Sequence, residues 1–497
     1  MTTPDSTQIY HEKLQQFFSE TARRIAKETK FVQCESPLTG ELFLLTLTLT
    51  VLQYGSIVLD QLAKTAARVN PAVKLTGQAF KARFNAFAVA FLKAMFVEAL
   101  QLSVPGAARV VPLLQNFSAV YLLDATTVAF PDALATDFLG CGGAGPKAAA
   151  KVYLLCDWLT GKYETLRVEP GRQPDQNMGS KFVAGRAAGA LWLFDLGFFN
   201  AAFLADIARA GSFFLCRLAA AQQVFWVPQT DGSLARFDLD ALLRQAPREL
   251  FETNVVFGPK REVQTRLICA PVPADVAAQR RRRAREAARK QGRTPTQKSL
   301  QRCDWTLLLT NASAADLPTS TVAEVYRVRW QIELVFKLYK SDAQLAHTNA
   351  REAQRIKCEF YAKLIALVLF ERLSGVAEDL AGAPISAVKL WRRLRHDVQD
   401  WLCLLGQGRA AAVTTLLKGL LRYAQPSSKQ RHPAPRQRLA QAGRAAQQVQ
   451  LAEPLAYLQQ PLRGARANQK AFAAALTRQA VTLEPARLSC QRTTAQS

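Results

Sequence analysis

The sequence predicts a mixed α/β fold flanked by helical regions, on three observations. Apolar residues recur three and four apart towards both ends of the chain, as amphipathic helices require. Short apolar runs bounded by turn residues fill the middle, as strands require. At 497 residues, 49% hydrophobic and 21% charged, the chain is long enough to bury more than one folded unit.

Taken in order, residues 1–112 read as an all-helical module: "YHEKLQQFFSETARRIAKE", the apolar stretch from Glu41, and "TGQAFKARFNAFAVAFLKAMFVEAL". Thr76 is placed to cap a helix whose Lys81 and Arg83 either meet phosphate or form an ordinary exposed basic face. The stretch 42–59 is broken by threonines, Gln53 and Ser56, and reads as a buried helix rather than a membrane span. The first residues lack a basic segment followed by an apolar run, so no secretory signal is expected.

Residues 113–212 read as the first part of an α/β core: the run "AVYLLD", a hairpin "KVYLLCDWLTGKYETLRVE" turning at Thr160-Gly161, and "GALWLFDLGF". From 213 to 312 come strand-like pieces, "FFLCRL", "QVFWV", "REVQTRLICAPV" and "DWTLLLTN", interrupted by a basic arm at 279–298. That arm is either a contact for a DNA backbone or a solvated face. Residues 313–350 complete the core with a helix over 326–340, residues 351–424 are helical again, and 425–497 read as a basic, weakly ordered tail.

A formal charge of +25 and a pI near 10.0 point to a polyanionic partner, nucleic acid above all, although ribosomal and membrane-surface proteins share such values. Nine cysteines include no CxxC pair and only four histidines accompany them, so reduced thiols in a cytoplasmic protein are expected, not structural zinc.

The chemistry concentrates in "YRVRWQIELVFKLYK", residues 326–340. At about 100° per residue, Tyr326, Arg329, Glu333 and Lys340 share one helix face, and Val325, Val328, Ile332 and Val335 form an adjoining apolar stripe. Alone, Glu333 reads as a surface ion pair. Asp124 and Asp195, however, each end an apolar run, with Thr126 and Gly197 following where the chain is expected to turn. Singly they read as turn formers or caps. Together, three acids at the margins of one sheet repel one another unless cations intervene, and two Mg2+ ions about 3.5–4 Å apart would neutralise them and cleave phosphodiesters.

These residues resemble the DDE-type transposases of bacterial insertion sequences, in the group with a Tyr-x2-Arg-x3-Glu-x6-Lys signature. Tyr326, Arg329, Glu333 and Lys340 match that signature at every spacing, "DATT" at Asp124 matches the Asp-x-Thr element, and "DLGF" at Asp195 matches Asp-x-Gly-Phe/Tyr. The resemblance covers roughly residues 115–345. It implies an RNase H-like mixed-sheet core carrying Asp124, Asp195 and Glu333 as catalytic metal ligands, and a largely β insertion between Asp195 and Glu333.

It also implies two Mg2+ ions with Mn2+ able to substitute, double-stranded element ends and target DNA as partners, a homodimer in the synaptic complex, and a hairpin intermediate. Tyr326, Arg329 and Lys340 would contact DNA at the hairpinned end. Trp305 would stack on a flipped base, or else be a core aromatic. Leu196 stands where many relatives carry Arg, and Tyr153 where His is frequent after the Lys matched by Lys151, so those auxiliary contacts are not carried over. A non-catalytic DNA-binding relative or inhibitor of transposition, and a structure-specific nuclease on the same core, are the alternatives.

Overall fold

The computed structural model describes residues 6–398 apart from 105–110, 219–224, 229–230, 232 and 259, together with residues 410–425 and 434–448. The chain divides into one unit formed by residues 1–198 and 327–440 and a second built on residues 199–326.

The first unit begins with helices α1 (Ser6–Gln16) and α2 (Ala22–Glu28), joined by a π-helical turn at Phe17–Thr21. Helices α3 (Gly40–Tyr54), α4 (Leu59–Val69), α5 (Gly77–Arg83) and α6 (Ala86–Gln101) follow. Side-chain caps start three of these helices. Thr39 accepts from the Leu42 amide, Thr76 from Ala79 and Asn85 from Ala88, each satisfying one amide that the first turn leaves without a partner. Gly55, at φ 75°, closes α3 in the left-handed conformation that glycine adopts without a Cβ clash.

The apolar stretch of α3 is buried: Leu42, Phe43, Leu44 and Leu47 lie in the core. No single described helix is long and apolar enough to cross a membrane. Arg83 is half-buried rather than standing on an exposed basic face. It donates to the Phe31 carbonyl and the Ser36 hydroxyl, and its guanidinium lies over the Phe31 ring, so it braces the 31–36 loop while Lys81 stays exposed.

The sheet of this unit comprises β1 (Val120–Phe130), β2 (Ala148–Asp157), β3 (Tyr163–Pro170) and β4 (Leu191–Phe194), in the order β3-β2-β1-β4. The β2–β3 hairpin turns at Gly161, φ 76°, where the sequence placed it. The β1–β2 and β2–β3 pairs are antiparallel and β1–β4 is parallel, giving a mixed sheet.

In the second unit α7 (Ala201–Arg209) packs on strands β5 (Phe213–Arg217) and β9 (Val263–Pro271). Strands β6 (Phe225–Pro228), β7 (Leu234–Phe237), β8 (Phe251–Phe257) and β10 (Trp305–Thr310) complete the order β5-β10-β9-β8-β6-β7, antiparallel at each described pairing. Helices α8 (Leu239–Gln245), α9 (Ala274–Lys290) and α10 (Gln297–Arg302) flank it, and α11 (Thr319–Arg327) ends it.

Back in the first unit lie α12 (Trp330–Lys337), a π-helical turn at Leu338–Asp342, α13 (Ala353–Ala381), α14 (Ala387–His396), α15 (Ala410–Ala424) and α16 (Pro435–Gln448). Helix α13 packs on α3 and α6 and buries nearly every side chain from Ile356 to Phe370. Helix α16 falls where the sequence suggested weak order. Pro435 opens it and arginine, alanine and glutamine fill it, residues that keep most of their rotamer freedom in a helix. The remainder of the expected tail, 426–433 and 449–497, lies outside the described residues.

Candidate active site

The parallel pairing of β1 with β4 sets the site. It ends at Leu123 opposite Phe194, so the next residue of each strand, Asp124 and Asp195, stand side by side where β4 stops. Asp195 therefore ends its strand as expected, but Asp124 does not. Strand β1 runs on through Thr126, Val128 and Phe130, all buried, and stays paired with β2 to Ala148, so Asp124 is mid-strand and Asp-x-Thr is no turn. The continued pairing with β2 is what keeps the chain extended there.

Asp195 folds back on itself: its Oδ1 accepts from the Gly197 amide at 2.8 Å. A methyl group at Gly197 would lie 3.1 Å from that oxygen and 3.4 Å from Oδ2 of Asp175, so glycine leaves the space between two carboxylates open. Asp175, in "QPDQN", was not singled out from the sequence. Lys151 holds it by an ion pair of 2.9 Å, and both Lys151 Nζ and the Tyr153 hydroxyl donate to the Gln173 carbonyl. Burial first, and the Asp175 charge second, push the Tyr153 hydroxyl well above its ordinary range, so it stays a protonated donor.

Helix α12 packs on β1 and brings Glu333 to the site, with Val328, Ile332 and Phe336 buried beneath it. Phe336 takes the place expected of Val335, which is only half-buried. The single helix expected over 326–340 is instead three pieces: α11 ends at Arg327, α12 starts at Trp330, and Lys340 sits exposed on the π-helical turn. A π turn closes its hydrogen bonds over one more residue than an α turn, so the spacing from Leu338 onwards departs from an even 100° per residue. Tyr326 belongs to the chain of the second unit.

Arg329 links two of the acids. Its Nη2 donates to Glu333 Oε1, and its Nη1 lies 3.7 Å from Asp124 Oδ2. Among the described residues no three His, Cys, Asp or Glu side chains are gathered closely enough to hold a metal ion as they stand. The donor chemistry nevertheless fits Mg2+, which takes hard carboxylate oxygens. Asp124 carries the mark of an under-neutralised site. Its carboxyl is pushed up to about 7, first by burial and then by the charges of Asp195 and Glu333, against the Ala125 amide and Arg329, which act the other way.

That shift predicts a pH dependence. The unfolded carboxyl titrates near 3.8, so the stabilising contribution of the neutral folded form is fully present below that value and is lost as pH rises through about 7. Asp124→Asn is expected to make the metal-free protein more resistant to urea at pH 8 than the wild type and to flatten the slope between pH 4 and 7. Equal slopes for the two proteins would contradict it.

Trp305 does not offer its ring. It is 5% exposed and packs edge-on against Phe251, ring centroids 5.5 Å apart, so the core-aromatic alternative is the one its packing supports. Among the described residues the tryptophan in solvent is Trp330, at 56%, beside Arg329, and Leu334 and Leu196 are likewise exposed next to Glu333 and Asp195.

With this geometry in place, comparison with known proteins finds that the family model for the transposase DDE domain matches residues 115–369. The chain is 26% identical over 451 residues to the transposase for insertion sequence element IS231F of Bacillus thuringiensis subsp. israelensis, covering 87% of this chain and 94% of that one. It is 25% identical over 362 residues to the transposase for insertion sequence element IS1151 of Clostridium perfringens, covering 70% and 76%. Among solved structures it is similar, at a TM-score of 0.44 and 12% identity over 87% of each chain, to the piggyBac transposase in a synaptic complex with hairpin DNA.

Proposed function

Because this chain belongs to the DDE transposases of bacterial insertion sequences, we propose that it binds the terminal inverted repeats of its own element as a dimer and moves the element by strand cleavage and strand transfer. The observation that supports this most is that Asp124 and Asp195 stand side by side at the end of the β1–β4 ladder while Arg329 bridges Asp124 and Glu333. Asp124, Asp195 and Glu333 are the residues that would hold Mg2+ or Mn2+. When bound, two such ions supply neutralisation of the acids, activation of the attacking hydroxyl and stabilisation of the leaving oxygen.

The remaining steps fall to the chain's own groups. Arg329, now spanning Asp124 and Glu333, exchanges a carboxylate for a DNA phosphate oxygen, which its planar fork also matches. Lys340, exposed on its turn, contacts phosphate as a point charge, and Tyr326 contacts the terminal backbone. Water hydrolyses one strand at each end, the freed 3'-hydroxyl attacks the opposite strand to leave a hairpin, and the reopened 3' ends join target DNA. The helical region before residue 112 reads the ends, and the protein works in the bacterial cytoplasm on nucleoid DNA.

The test is a linear duplex carrying the element's own end, incubated with protein and Mg2+. Release of the flank with a hairpinned end, followed by joining to a target plasmid, is the expected result. Cutting without joining would leave the nuclease reading, and end binding with no cutting would leave the non-catalytic one.

A further inference from the structure

The basic segment read from the sequence as arm or solvated face is, from Ala274 to Lys290, the rigid helix α9, and its two sides differ. At about 100° per residue, Val276, Ala277, Arg280, Arg281, Ala284 and Ala288 fall within an arc of about 140°, and these are the residues with restricted exposure. Two arginines on this side are used for docking. Arg280 donates to the Trp305 carbonyl at 2.9 Å and to the Thr306 hydroxyl at 3.2 Å, while Arg281 pairs with Asp304. The helix is thus fastened across the start of β10.

The opposite arc, about 160° wide, carries Arg282, Arg283, Arg285, Glu286, Arg289 and Lys290, all exposed. Five cations face one acid, and Glu286 stands 3.8 Å from Arg282 only. Arg282, Arg285 and Arg289 follow one another at i+3 and i+4, a spacing at which like charges destabilise an isolated helix. A face that is merely solvated intersperses its signs and avoids that repulsion. Here the repulsion persists on a helix that the fold has fastened down.

We propose that the outer face of α9 is a sequence-independent clamp for the phosphate backbone of duplex DNA. The cations from Arg282 to Lys290 spread over about 12 Å of helix axis, the rise of three to four nucleotides of one strand, so about three phosphates can be met at once. The alanine-rich construction suits this role, since it holds the charges on a straight rod. The proposal rests on the reading of the chain as an enzyme acting on DNA.

The experiment measures binding of the full-length protein to two duplexes of equal length, one bearing the element's end and one of unrelated sequence, from about 50 to about 200 mM salt. Substituting Arg282, Arg285 and Arg289 together by alanine, which favours helix, is expected to lower the slope of log affinity against log salt by about 2.7 on both duplexes, and Arg285→Ala alone by about 0.9. The corresponding lysine triple should keep the wild-type slope. Unchanged slopes in the alanine variants, or a change confined to the end-bearing duplex, would overturn the clamp. Mg2+-dependent cleavage by the wild type is scored separately, so its absence would sink the transposition reading and leave the slopes to judge α9.

Discussion

Asp195→Asn is expected to lower Mg2+-dependent strand cleavage by about three orders of magnitude or more while leaving end binding in place. The substitution is conservative in shape. An asparagine Oδ1 still accepts from the Gly197 amide, so the turn after β4 and the opening beside Asp175 are retained. What is lost is one negative charge and a hard oxygen ligand, and several kcal/mol of transition-state stabilisation go with them at about 1.4 kcal/mol per factor of ten. Glu333→Gln should behave alike, since a glutamine oxygen can still receive the Arg329 guanidinium. The measurement is the rate of hairpinned flank release at saturating protein. A residual rate above a tenth of wild type for Asp195→Asn would remove that acid from the metal set.

The second large effect is on stability. Lys363→Met should destabilise the protein by about 3–5 kcal/mol, because Lys363 and Glu359 form an ion pair whose side chains are 2% and 1% exposed. Lys363 also donates to the carbonyls of Gln344 and His347, and Thr348 donates to Glu359. Removing the lysine leaves an unpaired buried carboxylate and two carbonyls short of a donor. Glu359→Gln keeps the lysine and both carbonyl contacts, so its loss should be the smaller. Urea unfolding midpoints decide it, and near-equal losses for the two variants would show that the carbonyl contacts contribute little. The same pair fastens residues 344–348, which follow the π-helical turn, so cleavage should fall in Lys363→Met even where the protein remains folded.

Much of this site could be read from the residues. Asp195 was visible because an apolar strand stops there and glycine follows two residues later, and Glu333 because two cations and a tyrosine share its helix face. The position of Asp124 within its strand was not visible. Its chain direction is decided by pairing with β2, a strand beginning more than twenty residues later, and no local signal distinguishes a strand that ends from one that loses a single neighbour.

The break at Val328 and Arg329 and the π-helical turn were equally hidden, since a periodic pattern carries no mark of a helix that tightens or loosens within it. Trp305 misled for a different reason. A tryptophan in a strand looks the same in sequence whether its ring faces solvent or Phe251. Asp175 shows the converse case, an acid in an ordinary-looking turn whose place is revealed only by Lys151 and the empty side of Gly197. Lys151 was noticed, but as a motif match rather than as the partner of a carboxylate.

The order of the two units along the chain has a consequence for when activity can begin. A ribosome that has just added Phe198 has delivered Asp124 and Asp195, but Glu333 is still unmade, and the whole second unit separates them. At about 5–20 residues per second, roughly 7 to 27 seconds pass before Glu333 is synthesised. During that interval the nascent polypeptide holds two acids of three and, lacking α12, exposes the face of β1 on which that helix will rest. Messages truncated anywhere in the coding region for residues 199–326 therefore yield products that carry Asp124 and Asp195 but lack Glu333, α12 and the helix α13 on which α3 and α6 pack.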